Sequence, residues 1–274
     1  MNAITSLPDR GVLAIEGADR VAFLQGLVSN DVEAAAPGRA VWAALLTPQG
    51  KWLADFFIFA DSDRLLLDCE LDQIPGLIQR LGRYRLRMKV TLRQEPEWLV
   101  CVAWPNRPDV PGVIAADPRL PGFAWRILTT EAPPPTATPE DWDRHRLAAG
   151  LPDGSRDLEA DRSVLLEAGF DELAGVSWSK GCYMGQELTA RTRYRGLVKR
   201  RLVPVQVDGP LPPPGSPILR DGQEVGSMRS GRDHAGLASL RLDGLTGSLR
   251  CGDSALTPRV PDWMHLPAAV GETA

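Results

Sequence analysis

Paired cysteines, long apolar runs and a marked charge imbalance are all missing from this 274-residue chain. The four cysteines, Cys69, Cys101, Cys182 and Cys251, lie far apart and form no CxxC pair. That spacing indicates neither a disulfide framework nor a structural zinc site, and it fits a reducing, cytoplasmic setting with no stably bound metal expected. The longest apolar stretches, such as Phe56 to Ala60, are far too short to span a bilayer, and Met1 to Arg10 lacks the basic-then-apolar order of a leader, so the reading is of a soluble, unprocessed protein. The net charge of −4 argues against a protein whose main business is coating nucleic acid or an anionic membrane. The three histidines, His145, His234 and His265, have no sequence relation to Cys182, so no Cys–His pair is assigned.

What is present is an ordinary globular composition, 43% hydrophobic and 24% charged, long enough for two or three compact units. The unusual stretch runs from Ser177 to Arg193. It sets Cys182 between Lys180, Gly181 and Gly185, follows it with the amide of Gln186 and the carboxylate of Glu187, and then places Arg191 on a helix. From Lys180 to Arg201 there are seven cations against one acid, Glu187. A helix beginning near Tyr183 directs its positive end at Cys182, and with Lys180 it favours the thiolate. The competing reading is a buried cysteine packed as a small hydrophobe. Gly185 permits close backbone approach or positive φ. Gln186 and Glu187 suit the first turn of a helix, and equally match the donor–acceptor edge of a pterin or purine.

Elsewhere the patterning predicts an α+β fold. Val12 to Glu16 reads as a strand and Ala18 to Ser29 as an amphipathic helix that exits through Asn30 and Asp31, two turn-compatible residues. Arg39 to Leu46 and Lys51 to Ala60 form a hairpin about Thr47–Gly50, and a third strand covers Arg64 to Asp68. Alternation points Asp55 outward, with a carboxylate aimed into a cavity as the other reading. Leu71 to Leu81 is predicted as a helix. Tyr84 to Arg93 is predicted as a basic strand, either a solvated edge or an anion-binding face. Strands follow at Trp98 to Ala103 and Phe123 to Leu128, with a proline-rich loop between them. Thr138, Pro139 and Asp141 open a helix that ends at Gly150. Val164 to Ala168 reads as a short strand carrying Glu167. Leu202 onward has the short strands and turns of a small barrel.

The segment Lys180–Arg191 resembles, almost letter for letter, the signature of the YgfZ-type folate-binding proteins, relatives of the glycine cleavage aminomethyltransferase. Phe23 to Asp31, Thr47 to Lys51 with Ala54–Phe56, Arg83 to Val90, and His145–Leu147 with Gly150–Asp153 resemble further landmarks of that family, in order. The resemblance implies an aminomethyltransferase-like fold of two intertwined α+β parts plus a C-terminal β-barrel. The expected boundaries are 1–200 for the folate-binding region, with a connector near 131–139, then 201–262 for the barrel and 263–274 for a tail. It implies tetrahydrofolate or a derivative as ligand, bound by Asn30, Asp31, Asp55, Glu167, Tyr183, Gly185, Gln186, Glu187 and Arg191. It also implies Cys182 as the functional thiol, with Lys180 beside it and the thiol forming one wall of the pocket. The function implied is assembly or repair of iron–sulfur clusters in client or scaffold proteins, with an indirect link to tRNA modification. Where aminomethyltransferases carry two consecutive acids, this chain has Ala54–Asp55. The rival readings are a folate-dependent one-carbon transferase using Asp55 or Glu167, and an RNA-binding module using the basic segments 80–93 and 180–201.

Overall fold

The computed structural model describes residues 2–266. Its elements in chain order begin with β1 (Ala3–Ser6), β2 (Arg10–Glu16), α1 (Arg20–Gln25), β3 (Val41–Leu46), β4 (Trp52–Asp61), β5 (Arg64–Glu70), α2 (Ile74–Gly82) and β6 (Thr91–Gln94). They continue with β7 (Leu99–Trp104), β8 (Val113–Ala116), β9 (Trp125–Thr129), α3 (Pro139–Ala149) and α4 (Gln186–Tyr194). The last six strands are β10 (Arg200–Asp208), β11 (Pro217–Arg220), β12 (Gln223–Arg232), β13 (Ala235–Arg241), β14 (Leu249–Cys251) and β15 (Ser254–Pro258). The chain divides into two compact units: one holds the chain up to Trp142 with Leu173–Gln186, the other Asp143–Glu172 with the chain from Glu187 on.

The first unit contains two antiparallel sheets, ordered β3-β4-β5-β2-β6 and β1-β7-β9-β8. The five-stranded sheet starts from the hairpin that the Thr47–Gly50 turn closes, where Gly50 has φ +80° and its N–H donates to Thr47 O. One face of this sheet, with Leu13, Ala43, Leu45, Phe56, Ile58 and Leu67, packs against Leu24 of α1 and Leu77 and Leu81 of α2. The other face is buried too, because Trp42, Phe57 and Asp68 lie at 1% exposure or less. Here Asp68 accepts from Arg10 and Arg126, Asp117 accepts from Arg119 and Arg126, and the Arg126 guanidinium lies 3.4 Å from the Phe57 ring centroid. A buried alternation of cations and carboxylates thus joins β2, β5 and β9 under two sheets, with each charge paired as burial demands.

The second unit is built on a closed barrel, β10-β13-β12-β11-β14-β15. Inward residues Val205, Val207, Ile218, Met228, Ala238, Leu240 and Leu256 fill it. Arg146 of α3, 1% exposed, is gripped by Asp143, Asp157, Leu151 O and Ser230 Oγ, which fixes the helix end and the following turn to β12. Trp263 Nε1 donates to Ala149 O and Met264 is buried, so the start of the expected loose tail is packed. The rest of that tail, 267–274, lies outside the described residues.

Several sequence expectations change. The helix expected over 18–29 contracts to the six residues of α1. The basic strand expected over 84–93 is a succession of turns through residue 88, with only Thr91–Gln94 pairing to β2. Residues 165–168 form a 3-10 turn rather than a strand, ended by Gly169 at φ +79°. The loop expected over 104–121 contains β8, a strand too short to show alternation.

Candidate functional site

Two features of the first unit stand beside each other in sequence: a cavity of about 790 Å³ and the loop that carries Cys182. The cavity is lined by Asn30, Asp31, Arg39, Trp42, Ser177 and Trp178, with small residues such as Ala40, Ala116 and Ala174 completing the wall. Its size suits a drug-sized or cofactor-sized ligand, and its mixture of indoles, one guanidinium, one carboxylate and small apolar side chains is that of an organic-ligand pocket. Asn30 donates through Nδ2 to Trp42 O and Ala174 O, both at 2.7 Å, and so ties the exit of α1 to β3 and to the segment before Cys182. Asp31 Oδ1 accepts from Gln25 Nε2 at 2.8 Å and from Glu33 N at 3.1 Å, capping a 3-10 turn. The turn reading of this pair holds, and both residues line the cavity.

The Cys182 loop is stitched to the same segment on both sides. Ser177 N donates to Ser29 O, Ser29 Oγ donates to Gly175 O, and Met184 N donates to Gly26 O. Lys180 Nζ donates to Gln25 O at 2.7 Å, Val28 O at 2.9 Å and Asn30 O at 2.6 Å, so one ammonium caps the carbonyls at the end of α1. Burial lowers the Lys180 pKa to about 8, against the pull of Asp31 and Glu33 in the other direction. Its ammonium also lies 5.4 Å from the ring centroid of Tyr183, which is buried. Gly185 has φ +79°, and a Cβ there would stand 2.4 Å from Thr47 O, so the loop is pressed onto the β3–β4 hairpin where only glycine fits.

Cys182 itself is exposed, while Cys69, Cys101 and Cys251 are buried. The alternative of a buried cysteine packed as a small hydrophobe is therefore excluded for Cys182. The expected electrostatic setting is corrected: α4 starts at Gln186 rather than Tyr183, and the Lys180 donors are directed at carbonyls instead of the sulfur. Cys182 also does not line the cavity. Ser177, Trp178 and Ser179 do, and the thiol lies three residues farther along an exposed crest.

Asp55 is 5% exposed, contrary to the outward reading. Its two oxygens accept from Trp42 Nε1 at 2.9 Å and Trp52 Nε1 at 3.0 Å. Alternation misplaced it because β4 is covered on both faces, where the period of two no longer separates core from solvent. Gln186 Oε1 accepts from Tyr183 N at 3.1 Å, a local helix-start contact, and Glu187 and Arg191 are exposed in the first and last turns of α4. Glu167 belongs to the second unit, where it accepts from Lys199 N. The cavity residues that sequence reading passed over are Arg39, Trp42 and Trp178. Trp178 lies inside the stretch singled out for its cysteine, and a large aromatic between two serines in a loop was the available signal.

No helix among the described residues is long and apolar enough to cross a membrane, and no cluster of three or more His, Cys, Asp or Glu among them is arranged to hold a metal ion.

Residues 199–266 match the family described as the CAF17 C-terminal beta-barrel domain. The fold is similar to that of glycine cleavage system aminomethyltransferase T from Bartonella henselae, with a TM-score of 0.72 at 12% identity, covering 95% of this chain and 85% of that one. The mitochondrial iron-sulfur cluster assembly factor IBA57 of mouse is 33% identical, over 96% of this chain and 85% of its own length. The human protein of the same name is 35% identical, over 94% of this chain and 84% of its own. These relatives are mitochondrial, which overturns the cytoplasmic expectation: free thiols report a reducing milieu without identifying the compartment that provides it. With relatives matched over nearly their whole length, and with the aminomethyltransferase fold and the barrel both in place, the chain belongs to the IBA57 family of iron-sulfur cluster assembly factors.

Proposed function

We propose that this chain is a tetrahydrofolate-binding accessory protein for assembly or repair of iron–sulfur clusters in client enzymes, with the Cys182 thiol as the group that meets the client or its cluster. The observation that carries the reading is the display of Cys182, an exposed free thiol at the crest of a loop fastened to the wall of a cofactor-sized cavity. The names of the relatives supply the iron–sulfur context. Clusters are held by several protein ligands, and one thiol offers a single ligand, so contact with a cluster is transient or shared with the client.

The cavity's chemistry supports a reduced folate. The indole of Trp178 suits stacking with a pterin, the Asp31 carboxylate, which accepts protein donors through Oδ1, suits the amino-amide edge of a pterin through its other oxygen, and the exposed Arg39 suits a carboxylate tail. The transferase reading draws no comparable support, because the carboxylate of Asp55 is engaged by two buried indoles. The test is a titration with tetrahydrofolate, followed through tryptophan fluorescence, on the protein before and after alkylation of Cys182. Saturable quenching is expected, weakened about tenfold or more by Asp31→Ala and unaffected by alkylation. An absence of binding in the unmodified protein removes the folate part of the proposal.

A further inference from the structure

The basic segment that the cavity and the thiol leave unexplained lies between α2 and β6. From Gln73 to Gln94 the chain carries Arg80, Arg83, Arg85, Arg87, Lys89 and Arg93 and no acid. Arg93 pairs with Glu16 and Glu95. For the other five, all exposed, no ion pair is formed among the described residues. Their turn is nonetheless firmly built. Tyr84 N donates to Leu81 O, Met88 N to Arg85 O, and Lys89 N to an Asp19 carboxylate oxygen at 2.7 Å, while Met88 packs on the core of the sheet. At its tip Leu86 is 86% exposed and adopts φ +45°, with Tyr84 39% exposed beside it.

A solvated connector has no use for this arrangement. A branched aliphatic side chain is poorly suited to the left-handed region, where glycine or asparagine serves a plain turn, and an anchored backbone here holds a leucine out into water. Five unneutralised cations around one apolar tip in a chain of net charge −4 form a local field of opposite sign to the whole.

We propose that the turn from Arg80 to Lys89 is a docking surface for an acidic protein partner, with Leu86 as its apolar anchor. Arginine and tyrosine, which flank Leu86 in sequence, are residue types enriched at protein–protein interfaces, the exposed leucine adds apolar area between them, and the cations steer and orient an acidic face. Nucleic acid is disfavoured, because sequence-tolerant binding of a single strand relies on stacking aromatics, and this turn offers one tyrosine and an exposed leucine. A bilayer is disfavoured, because a single leucine buries too little apolar area to hold the protein at a membrane. The inference stands apart from the folate reading, since none of these residues lines the cavity.

The test places the photo-reactive p-benzoylphenylalanine at Tyr84 in the full chain and irradiates living cells. The expected product is a crosslink to a protein whose mapped contact segment is acidic, reduced at least tenfold by Arg85→Glu with Arg87→Glu and by Leu86→Asp. Binding of the purified partner to the charge-reversed variant is expected to return when two acids of its mapped segment are changed to lysine. Circular dichroism melts verify folding of these surface variants, and Asp31→Ala is expected to leave the crosslink intact, which separates this outcome from that of the cavity. A ribonuclease-sensitive adduct, a lipid adduct, no adduct, or an adduct indifferent to charge reversal overturns the proposal.

Discussion

Burial pushes the thiols of Cys69 and Cys101 up to about 12 and about 11 and raises Cys251 as well, so at neutral pH these three are protonated and out of reach. Cys182 is the exposed one. Iodoacetamide under native conditions is therefore expected to add one carbamidomethyl group, which peptide mass spectrometry places on Cys182. Comparable labelling of any buried cysteine contradicts that account. Lys180 has a second, pH-dependent role. Its folded pKa of about 8 lies below the ordinary 10.5, so between these values the unfolded chain holds a proton that the folded chain has released. Stability contributed at this position then rises with pH across that window. Relative to Lys180→Met, which cannot titrate, the wild-type protein is expected to gain stability between pH 8 and 10.5 in urea unfolding, and a difference that stays flat over the window refutes it. At neutral pH the same substitution leaves three carbonyls of residues 25, 28 and 30 without this donor and is expected to cost about 1–3 kcal/mol.

Among the elements, the Cys182 loop depends on one glycine and not on the other. Gly185→Ala puts a Cβ against Thr47 O and Leu46 at positive φ, whereas nothing lies within 4 Å of a Cβ at Gly181. Gly185→Ala is expected to lower stability by about 3 kcal/mol and Gly181→Ala to change it little, with thermal melts as the readout. Equal effects would show that the loop is not pressed on the hairpin. Sequence made some elements plain and hid others for physical reasons. The helix start at Thr138 was legible because its capping box is local chemistry: Thr138 Oγ1 accepts from Asp141 N, and the Asp141 carboxylate accepts from Thr138 N. The hairpin about Thr47–Gly50 was legible in the same way. The fate of Asp55 was not, since two indoles from β3 and β4 converge on it only after the strands pair. The positive φ of Leu86 was equally invisible, because no residue preference announces a leucine in that conformation.

Across the molecule, the fold class was legible because it rests on periodicity and turn chemistry, while the buried ion network of the first unit was not, because its members are spread over 117 positions, from Arg10 to Arg126, and meet only between sheets. Asp68→Ala removes the carboxylate that Arg10 and Arg126 share, leaving Arg126 with Asp117 as its carboxylate partner, and is expected to cost about 3–5 kcal/mol in denaturant unfolding; a loss below about 1 kcal/mol would place little weight on the network. Burial works to raise the Asp117 carboxyl, but Arg119 and Arg126 outweigh it and hold the group well below the usual carboxylate range. Its contribution is accordingly present above the unfolded value near 3.8 and is lost as pH falls below it. The cavity and the exposed thiol belong to the same unit as this network, and the claim that joins them to iron–sulfur chemistry turns on one sulfur atom. Its most direct measurement is the activity of iron–sulfur enzymes in cells that lack the wild-type protein and carry Cys182→Ala or Cys182→Ser at normal level and melting temperature. The account predicts that neither variant restores those activities, whereas full restoration by either contradicts it.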